Sequence, residues 1–336
     1  MRKLSLLILS LFLFVATLQA QEDGFLKSMK IQGTLRAKYE YQPQPNESRF
    51  QVRNARVSVS GKLYPLVNYK AEIDLNDEGK IKMLDAYGQI TPLEDFRVTL
   101  GQMRVPFTID AHRSPHTQYF ANRSFIAKQV GNIRDVGGMV GVDLLHTPFP
   151  IIADAAIFNG SGLTNQKEWH SSMNYSARVQ LFPFAGANLT LSGQTIKPED
   201  VRITMLDVGA NYAFHRFHIE GELLHKSYSD HMFKEVTAWN AFVNYDLPLK
   251  SFFEKVSFLL RYDGMTDHSS GIKNEEGELV TDDHARNRLT TGATFSFGEA
   301  FTADIRLNYE KYFYASGAVA KESEQDKLVL ELMVRF

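Results

Sequence analysis

The 336-residue chain has no cysteine, a formal net charge of −2 and 44% apolar residues. These values exclude a disulfide scaffold, a cysteine-linked lipid anchor and a generally basic nucleic-acid-binding surface. Beyond the N-terminus no apolar run reaches 18 residues, so the 24 Phe and 14 Tyr have to be read on strands rather than on spanning helices.

The first 20 residues read as a secretory signal peptide. Arg2 and Lys3 form its positive end, Leu4 to Leu18 its apolar core, and Ala20 the small residue before a cut at Gln21. The core of about 15 residues is short of the roughly 20 that a spanning helix needs. Removal of the peptide leaves residues 21–336 as a single domain and, with the loss of Arg2 and Lys3, takes the formal charge from −2 to −4.

From residue 30 onward, short segments alternate apolar and polar residues, the period of strands whose two faces meet different surroundings. The first, KIQGTLRAKYEY, sets Ile31, Leu35, Ala37, Tyr39 and Tyr41 against Lys30, Gln32, Thr34, Arg36, Lys38 and Glu40. Further strands are expected over about residues 53–63, 67–75, 83–91, 95–102, 137–147, 150–159, 173–182 and 187–196. They continue over about 202–214, 217–228, 234–247, 255–264, 287–297, 300–313 and 325–336. In VNYKAEIDL, Val67, Tyr69, Ala71, Ile73 and Leu75 oppose Asn68, Lys70, Glu72 and Asp74. In FTADIRLNYE, Phe301, Ala303, Ile305, Leu307 and Tyr309 oppose Thr302, Asp304, Arg306, Asn308 and Glu310. The terminal KLVLELMVRF places Leu328, Leu330, Leu332, Val334 and Phe336 opposite Val329, Glu331, Met333 and Arg335.

The connections fall into two classes that take turns along the chain. YPL, TPLED, HTPFP, FPFAG, FHRF, PLKSFFE and FGEA are short and turn-like. QPQPNES, NDEGKIK, the stretch after Gly101, NGSGLTNQKEWHSS, KPEDV, SYSDHM, TDHSSGIKNEEGELVTDDHAR and YASGAVAKESE are longer and polar. Outer-membrane barrels have short periplasmic turns and longer external loops. A soluble sandwich does not require that order, and a propeller would show a repeat of about 40 residues. The expected fold is all-β: a transmembrane antiparallel up-and-down β-barrel of about 16 strands, the first paired with the last, with hydrocarbon outside and water inside.

The inward rows carry both signs, with Arg36, Arg56 and Arg97 among the cations and Glu72, Asp74 and Asp85 among the acids. The longest connection, QMRVPFTIDAHRSPHTQYFANRSFIAKQVGNIRDV, follows the fifth strand. Phe107, Ile109, Tyr119, Phe120, Phe125 and Ile126 give it apolar surface to pack on a wall. Arg104, Arg113, Arg123, Lys128 and Arg134 stand against only Asp110 and Asp135, and His112 and His116 would add positive charge at low pH. Folded into the lumen as the third external loop, the segment would make a cationic constriction that favours anions. As an external lid, its cations would bind lipopolysaccharide or pair locally. Arg134 and Asp135 are expected to pair with each other at its base.

Three stretches resemble the phosphate-selective porin O and P family: SRFQVRNARVSVSGKLYPLVNYKAEIDLND, LDAYGQITPLEDFRVTLGQMRVPF and NRSFIAKQVGNIRDVGGMVG. The arginine-rich strand, D-A-Y, L-G-Q-x-x-x-P-F and R-D-x-G-x-x-x-G carry the likeness, chiefly over residues 48–145. The resemblance implies a 16-stranded barrel in the outer membrane of a Gram-negative bacterium, a homotrimer, and diffusion of small anions past arginines and lysines. It assigns Arg104, Arg113, Arg123, Lys128 and Arg134 to the constriction and Arg36, Arg56 and Arg97 to the pore wall. The near balance of acids and bases on the inward rows leaves phosphate-like, general anion, nonselective and oligosaccharide-type passage open.

An outer-membrane enzyme is the rival class. His112, Ser114 and His116 lie together in RSPHTQ, without a carboxylate or amide orienter at strand spacing. Neither HRSPH nor Asp282–His284 has a diagnostic ligand spacing. No catalytic residue, metal or cofactor is expected. The expected partners are small anionic or polar solutes, outer-membrane lipid and lipopolysaccharide, and further copies of the chain.

Overall fold

The computed structural model describes residues 28–336 apart from 78–79, 132, 161, 164–165, 199, 299–301 and 316, with backbone only at 64, 76 and 77. The expected signal peptide and Phe301 lie outside the described residues. The strands are β1 (Lys30–Gln42), β2 (Glu47–Tyr64), β3 (Val67–Asp77), β4 (Lys80–Leu93), β5 (Phe96–Arg104) and β6 (Arg134–Leu144). After them come β7 (Ile151–Phe158), β8 (Asn174–Leu181), β9 (Ala187–Ile196), β10 (Ile203–Phe214) and β11 (Phe217–Tyr228). The last are β12 (Val236–Pro248), β13 (Lys255–Met265), β14 (Arg286–Phe297), β15 (Thr302–Tyr314) and β16 (Lys327–Arg335). All pair antiparallel with their neighbours in one closed barrel.

Closure is made by β1 and β16, in register from Thr34↔Arg335 to Tyr41↔Leu328. Gly33 and Phe336 extend the ladder by exchanging backbone bonds of 2.9 and 3.2 Å. The terminal strand therefore has no open edge. Its Leu328, Leu330 and Leu332 are 41–47% exposed, whereas Val329, Glu331 and Met333 are fully buried. The exposed row is apolar and the buried row mixed, as a lipid-facing exterior and a polar interior require. Toward the short-turn end, Phe184, Tyr212, Phe214, Phe217 and Tyr245 form a chain of ring contacts at 4.8–5.5 Å. Such aromatic girdles sit at the interface between hydrocarbon and water.

Two expected loops are partly strand. QPQPNES shrinks to residues 43–46 because β1 runs to Gln42 and β2 begins at Glu47, ahead of the expected start at 53. NDEGKIK is absorbed likewise by β3 and β4, which leave only 78–79 between them. A spanning strand needs about 9–11 residues, and β2 has 18. The surplus lies in water, where polar residues suit both faces. The alternation signal fades there while backbone pairing continues.

Two β-bulges interrupt the ladder near one another. Arg36 opposes Asn54 and Ala37 opposes Val52, so Arg53 is the extra residue of β2. Glu72 opposes Asp85 and Ile73 opposes Met83, so Leu84 is the extra residue of β4. A bulge re-aims side chains without breaking the sheet.

The glycines of R-D-x-G-x-x-x-G mark close approaches. A Cβ on Gly137 would lie 2.0 Å from the Ile157 carbonyl oxygen and 2.8 Å from Phe158 Cα, both backbone of β7. One on Gly141 would lie 2.5 Å from Arg97 Nε and Asp154 Oδ1, which form an ion pair of 2.5 Å through Arg97 Nη2. Gly137→Val is expected to abolish the heat-modifiable folded band on electrophoresis. Gly221→Ala, whose Cβ meets nothing within 4 Å, is expected to retain it.

Candidate functional site

Most inward charges are consumed by pairing across adjacent strands. Arg36 meets Glu331 at 2.6 Å, and Glu331 also holds Arg306 at 2.7 Å. Asp263 and Glu310 flank Arg288 at 2.7 and 3.1 Å. Arg56 binds Asp74 at 2.9 Å and Glu72 at 3.4 Å. Lys70 and Arg134 converge on Asp85 at 2.6 and 2.7 Å. Gln102, of L-G-Q-x-x-x-P-F, donates to the carbonyls of Met83 and Leu84 at 2.7 and 2.8 Å and so fastens the second bulge.

The connection 105–133 contains a 3₁₀ turn (Pro115–Thr117) and helix α1 (Phe125–Val130). Its irregular backbone is satisfied by side chains of many strands. Ser176 on β8 donates to the Pro106 carbonyl at 2.8 Å, and Ser192 on β9 accepts from Thr108 N–H at 2.9 Å. Glu222 on β11 accepts from Ile109 N–H at 2.5 Å and from Asp110 N–H at 3.1 Å. Asn308 on β15 accepts from Ala121 N–H at 2.9 Å, and Asp263 on β13 from Phe125 N–H at 3.1 Å. Arg36, Arg261, Arg288 and Arg335 donate at 2.7–3.0 Å to the carbonyls of Ala121, Asn122, Arg123 and His116. Phe125 is ringed by Lys128, Arg286 and Arg288 at 4.8–5.1 Å from its centroid. Cations over an aromatic face add to the anchoring.

Between this connection and strands β1–β4 and β6 lies a cavity of about 430 Å³. Among the described residues Arg36, Arg53, Arg56, Lys82, Arg123 and Arg134 line it, with Asp74 the one acid. Gln118 lines it as well, and accepts from Arg36 at 2.5 Å. Gln118 is shared with a second cavity of about 380 Å³ toward the short turns, which holds Asp246 and Asp304 beside Arg216, Lys255, Arg306 and Arg335.

The eight cations expected at the site divide. Arg36, Arg56, Arg123 and Arg134 meet at the first cavity. Arg104 stands at the end of β5 and donates to the His112 carbonyl. Arg113 is engaged by Glu220 at 2.5 Å and lies over the Tyr119 ring. Lys128 is paired with Glu324, and Arg97 with Asp143 and Asp154. The expected Arg134–Asp135 pair does not form. Successive strand residues face opposite ways. Arg134 turns to Asp85 and Glu72, while Asp135 accepts from the N–H groups of Val136 and Gly160, both at 2.8 Å.

Arg53 and Lys82 were not expected at the site. In VRNAR, strict alternation puts Arg53 and Arg56 on opposite faces, and only the bulge brings both to the cavity. The available signal was energetic. An arginine facing lipid near the midplane costs about 2–4 kcal/mol, so an arginine out of phase inside a strand marks a bulge or a strand end.

Charge within the connection is set by burial and crowding. Burial lowers Arg123 to about 9, with Asp110 opposing the shift and Arg104, Arg36 and Arg56 reinforcing it. Its side chain is held by the carbonyls of Asp110, Ala111 and Arg113. Burial also works against the Arg113 charge, but Glu220 and Asp110 outweigh it and hold that guanidinium above its usual range. Burial, then Arg178 and Arg104, push His112 well below its ordinary value; burial and Arg335 lower His116. Both shifts work against the charge that low pH would add at His112 and His116.

A wide closed barrel with an apolar exterior, a charged interior and a long basic connection defines an outer-membrane channel. The family model for phosphate-selective porin O and P matches residues 29–241. The chain belongs to that family, which makes it an outer-membrane porin and a channel rather than an enzyme. Among solved structures it is similar to an anion-selective porin from Comamonas acidovorans, at 11% identity and a TM-score of 0.64 over 92% of this chain and 98% of that one. It is similar also to the outer-membrane channel DcaP of Acinetobacter baumannii, at 11% identity, 0.61, and 92% and 96% coverage. The trimer form of OmpT, an outer-membrane protein of Vibrio cholerae, matches at 10% identity, 0.61, and 92% and 98% coverage. At such identities the likeness is one of fold. No curated protein matches the sequence.

Two outcomes test the site. Asp85 and Arg134 are 2% and 5% exposed, and removing one partner of a buried pair costs about 3–5 kcal/mol. Asp85→Ala should lower stability by about that amount, read from the denaturant midpoint of detergent-solubilised protein. His112 has its pKa depressed below about 6.5, so it stays neutral as pH falls through that value. The reversal potential of His112→Gln should therefore equal that of wild type at pH 7 and at pH 6.

Proposed function

We propose that this porin passes small hydrophilic solutes with a preference for anions, set in the basic cavity. We infer that the 105–133 connection folds across the bore as the third external loop, narrowing it against β1–β4 and β6. Its bonds to wall side chains on β1, β8, β9, β11, β13, β14, β15 and β16 support that placement. The observation that carries the reading is the cavity's lining, where among the described residues six cations face the space with Asp74, while Glu331, Glu72 and Asp85 hold Arg36, Arg56 and Arg134 from behind. A narrow passage between low-dielectric walls magnifies such an excess.

Arg53 and Lys82 attract the anion from the wall and Arg123 from the connection, and none of them has to be unpaired to do so. Arg36, Arg56 and Arg134 supply guanidinium groups already held by their carboxylates. Arg104, Arg113, Lys128 and Arg97 act less directly, as ties of the connection and the wall. The second cavity carries both signs, which keeps the preference modest. Residues 1–20 serve as the export signal. The porin assembles as a homotrimer, in contact with lipid and lipopolysaccharide.

Planar-bilayer recording under a KCl gradient tests the proposal. Wild type should give a reversal potential on the anion-selective side. Replacing Arg53 and Lys82 together by Gln should move it toward zero, and an unmoved potential would remove the cavity from selectivity. The preference should fade as salt approaches 1 M, where the screening length is about 3 Å.

A further inference from the structure

The basic cavity is not polar throughout. Its lining includes Leu84, Ala111, Pro115, Ala127 and Ile133. Leu84 is an aliphatic side chain in a strand wall otherwise lined by ions and Asn54, placed there by the β4 bulge and kept there by Gln102. Ala111, Ala127 and Ile133 pack as one apolar cluster with Val130. The cluster brings hydrocarbon to the cavity where a chamber for hydrated ions would present donors.

The two linings act differently on different anions. An inorganic oxoanion meeting hydrocarbon loses hydration and gains nothing there. A carboxylate with an alkyl or aryl body can place its charge on the guanidinium groups, which suit bidentate contact with carboxylate. Its body can lie along the narrow apolar strip that Leu84, Ala111, Ala127 and Ile133 present, each 3–9% exposed. A volume of about 430 Å³ is ample for such a molecule.

We propose that the preferred solutes of this cavity are small organic carboxylates with an apolar body, rather than inorganic oxoanions. The proposal rests on the anion reading above. The test is block of the chloride current through the wild-type porin by acetate, butyrate, hexanoate and benzoate, with inorganic phosphate for comparison. The inhibition constant should fall by about tenfold or more from acetate to hexanoate, as added methylenes leave water. Benzoate should fall near hexanoate, and phosphate should block no better than acetate. In Leu84→Ser the ratio of the acetate to the hexanoate constant should shrink.

Equal constants along the wild-type series would overturn the proposal, and that comparison needs no variant to fold. Phosphate blocking more tightly than hexanoate would overturn it too. Failure of the anion reading shows separately, as a reversal potential on the cation-selective side in KCl.

Discussion

A strand in hydrocarbon has backbone donors and acceptors on both edges and no water to satisfy them. Only closure removes the last edge. In this chain closure is made by β1 and β16, down to the bonds between Gly33 and Phe336. Once the sheet is closed, each strand has one face in lipid and one in the bore, and the period-two alternation is obligatory. Sixteen strands enclose more space than inward side chains can fill. What remains to be settled is how a wet, charged interior is organised.

The inward ions do two things at once. They pair with one another along β1, β16 and β15 and along β13, β14 and β15, and they satisfy the connection that no strand pairs. Carbonyls of Ala121, Asn122 and Arg123 accept from Arg36, Arg261 and Arg288; N–H groups of Ile109, Ala121 and Phe125 donate to Glu222, Asn308 and Asp263. A buried ion pair alone is weak support for stability, and apolar packing often does as well. Here apolar side chains would leave those peptide groups without partners. The charges are retained because an irregular segment needs them.

Legibility in the sequence follows the same physics. Within the bilayer the alternation is imposed, and β9 and β11 end at the residues read from the pattern, 187–196 and 217–228. Outside it the constraint lapses, and the ends of β2, β3 and β4 leave no periodic trace. The bulges at Arg53 and Leu84 hide for the opposite reason, since one inserted residue shifts the phase and mimics a broken strand. Partners across the barrel are hidden altogether. Arg113 meets Glu220 107 positions away and Lys128 meets Glu324 196 away, so a local charge count overstated the positive charge of the connection. Arg36, Arg56, Arg123 and Arg134 were found together because three lie on inward rows near the bulges and the fourth is tied back over them.

The balance of acids and bases over the whole interior says little about selectivity, because distant charges are screened while those around a narrow cavity are not. The local excess comes from backbone irregularity. One bulge adds Arg53 to the row of Arg56, and another adds Leu84 beside Asp85 and brings Lys82 into phase. Arg53, Arg56 and Arg134 of the family motifs lie on that surface, and other motif residues work behind it. Gln102 fastens a bulge, Asp85 binds Arg134, Asp135 caps the strand exit, and Gly141 leaves room for Arg97 and Asp154. The features that identify the family therefore both build the cavity and supply part of its lining. On the function proposed above, the same scaffold would serve different anions, with the choice made at positions such as Arg53, Lys82 and Leu84.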